Sequence, residues 1–112
     1  MLFRSDNLLR YALLSRAALM LGRHVGVDFD VFHAHDWQAA LVPVYQRWLG
    51  RPEPTVLTIH NLAFQGVFPR ASAIELGLPS QAMLPEGAEY WGSLSFLKAG
   101  VQWCDQIGRA HV

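Results

Sequence analysis

A chain of 112 residues that is 52% hydrophobic and 16% charged has the material for one folded domain with a modest core, and is not a solvated, disordered segment. Its formal net charge of zero removes the electrostatic case for nucleic acid or an anionic membrane as the main partner. No run approaches the ~18 continuous apolar residues of a membrane helix. The opening "MLFRSDNLLRYALL" lacks the unbroken apolar stretch and small-residue cleavage site of a signal peptide. The single cysteine, Cys104, excludes an internal disulfide framework and is read as a packed thiol. A reducing, cytoplasmic compartment is expected.

Ser5 or Asp6 can cap a helix that starts at once, so the chain reads as the interior of a longer domain. Residues 7–21 are rich in helix formers, with Leu8, Ala12 and Leu19 on one side and Gly22 as a stop. Residues 29–34 read as a short buried strand. Residues 36–49 read as a helix with Trp37, Leu41, Val44, Tyr45 and Trp48 as its core stripe, Asp36 at its N-cap, and a kink at Pro43. Residues 55–60, "TVLTIH", are a second strand, and 61–70 a loop punctuated by Gly66 and Pro69. A short helix near 71–76 precedes irregular chain, and helical spacing returns from Ser93 in "SLSFLKAGVQWC". Lys98 borders that apolar stripe as a side chain reaching toward water.

Alternation of helix and strand makes the class α/β, with a partial Rossmann-like parallel sheet and flanking helices. In a strand–helix–strand unit both strands run the same way, so their C-terminal ends share one edge, where open parallel sheets bind ligands. That edge brings His35 and Asp36, from "VFHAHDW", to His60 and Asn61. Three readings follow. The His-x-His pair with Asp36 and His60 offers ligands for a metal-dependent hydrolase. Alternatively, His33 is a hydrogen-bonded core residue and Asp36 a plain helix cap. The third reading is a sugar site, since imidazole, carboxylate and amide groups beside Trp37, Phe64 and Phe68 suit a carbohydrate. No glycine-rich phosphate fingerprint follows the first strand, so a dinucleotide site is not indicated.

Taken together, "HAHDWQAALVP", "TVLTIHNLAFQG" and "SLSFLKAG" resemble the glycogen and starch synthases, and "DNLLRYALLSRAAL" resembles the helix before the first of these motifs. The resemblance spans residues 5–105. It implies part of the N-terminal, acceptor-side domain of a GT-B retaining glucosyltransferase, whose C-terminal domain would be its partner in the same chain. The donor it implies is ADP-glucose, another GT-B enzyme using a UDP-sugar being the rival, and the acceptor an α-1,4-glucan. No cofactor or metal is implied. By position, His60 would contact the transferred glucose and Asp36 would serve activity near the acceptor. Asn61 and Gln65 would lie beside the sugar, with His35 and Trp37 in support. Residues 106–112 depart from the family, which would run on through a strand. "IGRAHV" is also one reading frame of a common sequencing-adapter stretch, so 106–112 are expected to be a non-native tail.

Overall fold

The structure is a computed structural model and describes residues 7–109; the Ser5 or Asp6 cap and residues 110–112 lie outside the described residues. Helix α1, Asn7–Val25, buries Leu8, Ala12, Ser15 and Leu19 along one side. It runs past Gly22 because the chain turns at Gly26, whose φ of 70° is left-handed. There the Val27 N–H returns to the Gly22 carbonyl at 2.9 Å, a glycine-dependent helix stop.

Strand β1, Phe32–His35, is shorter than expected, and Phe29 instead packs edge-on against Phe32 with ring centroids 5.6 Å apart. The expected helix over 36–49 is divided into a 3-10 turn, Trp37–Ala39, and helix α2, Val42–Trp48. Pro43 therefore produces no kink. It sits in the first turn of α2, where its missing N–H leaves no hydrogen bond broken. Trp37, Leu41, Val44 and Tyr45 are buried as the stripe predicts, but Trp48 is 40% exposed. Strand β2, Thr55–Ile59, pairs in parallel with β1, setting His33 opposite Val56 and His35 opposite Thr58.

The loop expected over 61–70 contains strand β3, Val67–Pro69, followed by helix α3, Ser72–Glu75, and a 3-10 turn at Ser80–Met83. Strands β4, Glu89–Tyr90, and β5, Ser93–Ser95, complete an antiparallel sheet in the order β3-β5-β4. Helix α4, Phe96–Trp103, then starts three residues later than the sequence suggests, because Ser93–Ser95 pair with β3. The Ser95 hydroxyl accepts from the Lys98 N–H at 3.1 Å and caps the helix. Lys98 is half-buried, and its head group finds protein partners at the surface. Its ammonium donates to the carbonyls of Pro85 and Glu89, tying α4 to the preceding loop. Gln106–Arg109 form strand β6, parallel to β2, so the larger sheet runs β1-β2-β6.

The core lies between this sheet and α1, α2 and α4, with Leu19, Leu41, Val44, Leu57 and Phe96 fully buried. Phe32 and Ala34 of β1 point into it with Leu57, while His33 and His35 face the opposite, open side. The core position expected for His33 is thus corrected, because strand alternation carries it out on the same side as His35. Burial pushes the Cys104 thiol above its ordinary pKa, which keeps it protonated, as expected of a packed thiol. Among the described residues no helix is long and apolar enough to cross a membrane.

Candidate functional site

The two parallel strands deliver their polar ends to one edge, as the strand–helix–strand pattern requires. The Asp36 N–H still donates to the Thr58 carbonyl at 2.9 Å, extending the ladder by one bond. The chain then turns sharply, since Asp36 has φ 60° and ψ −173°. That backbone region belongs to glycine and costs another residue about 1–3 kcal/mol. Asp36 precedes the 3-10 turn, yet its side chain makes no capping bond, so the N-cap role expected of it is corrected. Its carboxylate reaches the neighbouring strand end instead. Oδ1 accepts the His60 backbone N–H at 2.6 Å and Oδ2 accepts from His60 Nδ1 at 2.9 Å.

The His60 and Asp36 side chains are 45% and 29% exposed. A pair this open adds at most about 1 kcal/mol to stability, no more than the low end of the strain at Asp36. The arrangement is therefore poorly explained as scaffolding. His35 lies beside it, its ring centroid 5.5 Å from that of His60 and 4.2 Å from that of His33. His33 Nε2 is bonded to Thr58 Oγ1 at 2.6 Å, so the outermost imidazole of this row is engaged by the second strand. Thr58 was not singled out in the sequence, although alternation along "TIH" sets it two residues before His60. Among the described residues no group of three or more His, Cys, Asp or Glu side chains is placed to hold a metal ion.

After His60 the chain makes a compact loop. Asn61 Oδ1 accepts the Ala63 N–H at 2.9 Å, and Gln65 Nε2 donates to the Leu62 carbonyl at 3.2 Å, so both amides brace the loop itself. The far end is pinned by α4, whose first amides, Phe96 and Leu97, donate to the carbonyls of Gly66 and Gln65 at 3.0 and 3.1 Å. Gly66 lies flat against Trp37, and a Cβ there would stand 2.3 Å from Trp37 Cε3. Trp37 is only 5% exposed, and Tyr11, Phe68 and Phe96 surround its ring at 5.1, 6.0 and 6.0 Å. Its indole thus supports the loop. Trp37 also forms the floor of a cavity of about 380 Å³ with Phe64, Gln65, Phe68 and Tyr90 on its walls. Of the residues expected at the site, Trp37 and Gln65 line this cavity, whereas His35, Asp36, His60 and Asn61 lie outside its lining. No sequence signal marks Tyr90, which reaches the cavity from the second sheet.

The sequence profile of the starch synthase catalytic domain matches residues 2–109. The chain belongs to the starch synthase catalytic domain family. It is similar to the glycogen synthase of Rhodopseudomonas palustris strain BisB18, with 50% identity over 105 residues, 91% of this chain and 22% of that protein. Similarity to the glycogen synthase of Acidiphilium cryptum is 50% over 106 residues, covering 92% of this chain and 22% of that protein. With the glycogen synthase of Pseudomonas syringae pv. tomato it is 45% over 106 residues, covering 92% and 22% respectively. The chain therefore spans about 22% of the length of these relatives.

The catalytic domain of starch synthase IV from Arabidopsis thaliana, bound to ADP and acarbose, superposes with a TM-score of 0.79. It is 24% identical, and the match covers 94% of this chain and 23% of that one, so the α/β fold is shared. Within the starch synthase family match lie all three motifs of the resemblance, and each has a structural place. "HAHDW" ends β1, "TIHN" ends β2, and "FLKAG" opens the helix that pins the loop following His60.

Proposed function

We propose that the protein to which this chain belongs transfers glucose from ADP-glucose to the non-reducing end of an α-1,4-glucan, with retention at the anomeric carbon. These residues would form part of its N-terminal, acceptor-side domain. Support comes from the family match over residues 2–109 and from the glycogen synthases that resemble the chain at about half identity. The observation that carries the site assignment is the meeting of Asp36 and His60 at the carboxyl edge of β1 and β2.

In this reading donor and acceptor react on the same face of the sugar, and the departing diphosphate takes the proton of the acceptor hydroxyl. No side chain need act as a base. His60 holds the glucosyl unit and stabilises the charge that develops as the bond to diphosphate lengthens. Asn61 and Gln65 shape the loop beside the sugar, while His35 and Trp37 support it from the strand and from below. The reading requires no resident cofactor, and the site lies in a soluble cytoplasmic enzyme.

The test is glucosyl transfer by the full-length protein, with glycogen as acceptor and ADP-glucose or UDP-glucose as donor. Transfer from ADP-glucose is expected, and its loss by roughly 100-fold or more on His60→Ala, the scale of removing one preorganised transition-state contact. No transfer from either donor would overturn the reading, and transfer from UDP-glucose alone would overturn the donor. Unchanged turnover in His60→Ala would remove His60 from the chemistry.

A further inference from the structure

We propose that Asp36 is a positioning residue: it acts through His60, by fixing which imidazole nitrogen carries the hydrogen, and does not itself touch the sugar. The proposal rests on the assignment of the transferred glucose to His60 above. Its basis is the pair of bonds between the two residues. An ionised carboxylate only accepts hydrogen bonds, so the contact of Asp36 Oδ2 with His60 Nδ1 at 2.9 Å requires the hydrogen on Nδ1. The neutral ring then has its lone pair on Nε2, at the ring's far side from Asp36. Nε2 is left as an acceptor for the O–H of a sugar.

Both oxygens of the carboxylate are used in this way, because Oδ1 holds the His60 backbone N–H at 2.6 Å. The imidazole is therefore fixed at its root and at one nitrogen by a single side chain from the adjacent strand. The backbone of Asp36 shows the same bias. Its φ of 60° departs from the strand and directs the carboxylate across to β2, and the capping bond available at this position is not made. A residue that only closed a strand or capped a turn would need neither feature. His35, 5.5 Å away, stacks beside the ring without bonding either nitrogen. The orientation of His60 thus depends on Asp36.

Two measurements on the full-length protein test this. The first is the ¹⁵N spectrum of histidine-labelled protein, with the His60 signals assigned by their loss in His60→Ala. A hydrogen on Nδ1 and a bare Nε2 in the neutral ring are expected; the opposite tautomer in the wild type would overturn the proposal. Asp36→Asn should reverse the tautomer. The His60 N–H can only donate, so it keeps the carboxamide oxygen, and the NH₂ group is turned toward Nδ1.

The second measurement is kinetic. Asp36→Asn should lower kcat by roughly 100-fold or more, as mis-set tautomers do in other enzymes, with KM for ADP-glucose changed only a few-fold. The double variant Asp36→Asn/His60→Ala should turn over no more slowly than His60→Ala alone. Losses that multiply in the double variant would mean direct contact of Asp36 with substrate and would overturn the proposal. Asp36→Gly repeats the kinetic test in a residue suited to the strained backbone, should Asp36→Asn fold poorly. The spectrum does not depend on turnover. A locked Nδ1–H in a protein that transfers no glucose would refute the proposed function and uphold the lock, whereas transfer with an unlocked ring would refute the lock alone.

Discussion

Gly66 lies where two demands meet on one residue. Its φ of 66° is left-handed, and its Cα lies so close to the Trp37 indole that an added methyl would fall 2.3 Å from Cε3. Alanine here takes on about 1–2 kcal/mol of backbone strain and about 1–3 kcal/mol of overpacking against a ring that cannot retreat. Gly66→Ala is expected to lower the urea midpoint of the full-length protein and, by displacing the loop that starts at His60, to raise KM for the donor. An unchanged midpoint and KM would contradict the clamp. Tyr45 makes a different kind of prediction. Its hydroxyl donates to the Leu76 carbonyl at 2.8 Å, and burial raises its pKa above 10.0, against the lowering effect of Arg16. The folded phenol holds its proton more tightly than the unfolded one. Its contribution is therefore fully present below pH 10, and is lost as pH rises past 10 until the folded phenol ionises. Tyr45→Phe should cost about 1 kcal/mol at neutral pH, through the orphaned carbonyl, yet lose stability less steeply above pH 10. Urea midpoints taken from pH 7 to 11 check both parts. At this scale the sequence was a partial guide. The meeting of Asp36 and His60 at one sheet edge was legible from the strand pattern. The direction of the Asp36 carboxylate was not, because it is set by one unusual φ that no residue type announces. His33 was misplaced because its apolar neighbours outweighed the alternation that sets it on the side of His35, and the partners of Lys98 were hidden because they are backbone carbonyls.

Among the elements, those legible in advance were those whose pattern is local. The period of α1, the apolar run of β1 and the β-branched run of β2 each specify their own conformation, and the parallel pairing of β1 with β2 follows from the connection between them. The second sheet was not legible. Its strands are two or three residues long, and β3 ends in Pro69, so none has enough alternation to stand out. They exist because residues 67–69 and 89–90 meet Ser93–Ser95 after folding, which local pattern does not encode. Helix α4 shows what that packing demands. Gly100 lies in the helix interior, where alanine ordinarily gains about 1 kcal/mol. Here an added Cβ would meet the Ala40 carbonyl at 2.6 Å, the Ala40 Cβ at 2.9 Å and Leu57 Cδ2 at 3.0 Å. The helix approaches the 3-10 turn and β2 too closely for any side chain. Gly100→Ala should therefore destabilise by about 1–3 kcal/mol, reversing the propensity rule. Because α4 also carries the amides that hold Gln65 and Gly66, donor KM should rise with it. A gain in thermal midpoint would show that the contact relaxes freely.

Over the whole molecule, the surfaces divide unevenly. One face of the larger sheet is covered by α2 and α4, with α1 packed against α2, while the other presents His33 and His35 to solvent. On α1 the side away from the core exposes Leu9, Leu13, Leu14 and Leu21, at 47%, 68%, 51% and 51%. The Asp36–His60 pair stands at the rim of the open sheet face, and nearly half of the His60 side chain is in contact with water. Stabilising a charge-separated transition state depends on fixed dipoles in a site from which water is excluded, where an interaction is several times stronger than in bulk solvent. A half-exposed imidazole that faces no opposing wall among the described residues cannot supply that, however well Asp36 orients it. The 112 residues alone, about 22% of the length of the glycogen synthases they resemble, should therefore transfer no glucose from ADP-glucose to glycogen. The assay is radiolabelled incorporation, run at equal molar concentration beside the full-length protein. Incorporation by the 112-residue chain above a heat-treated blank would show that a complete reaction centre exists within these residues, and would overturn both the need for a second wall and the assignment of the chain to one side of a larger cleft.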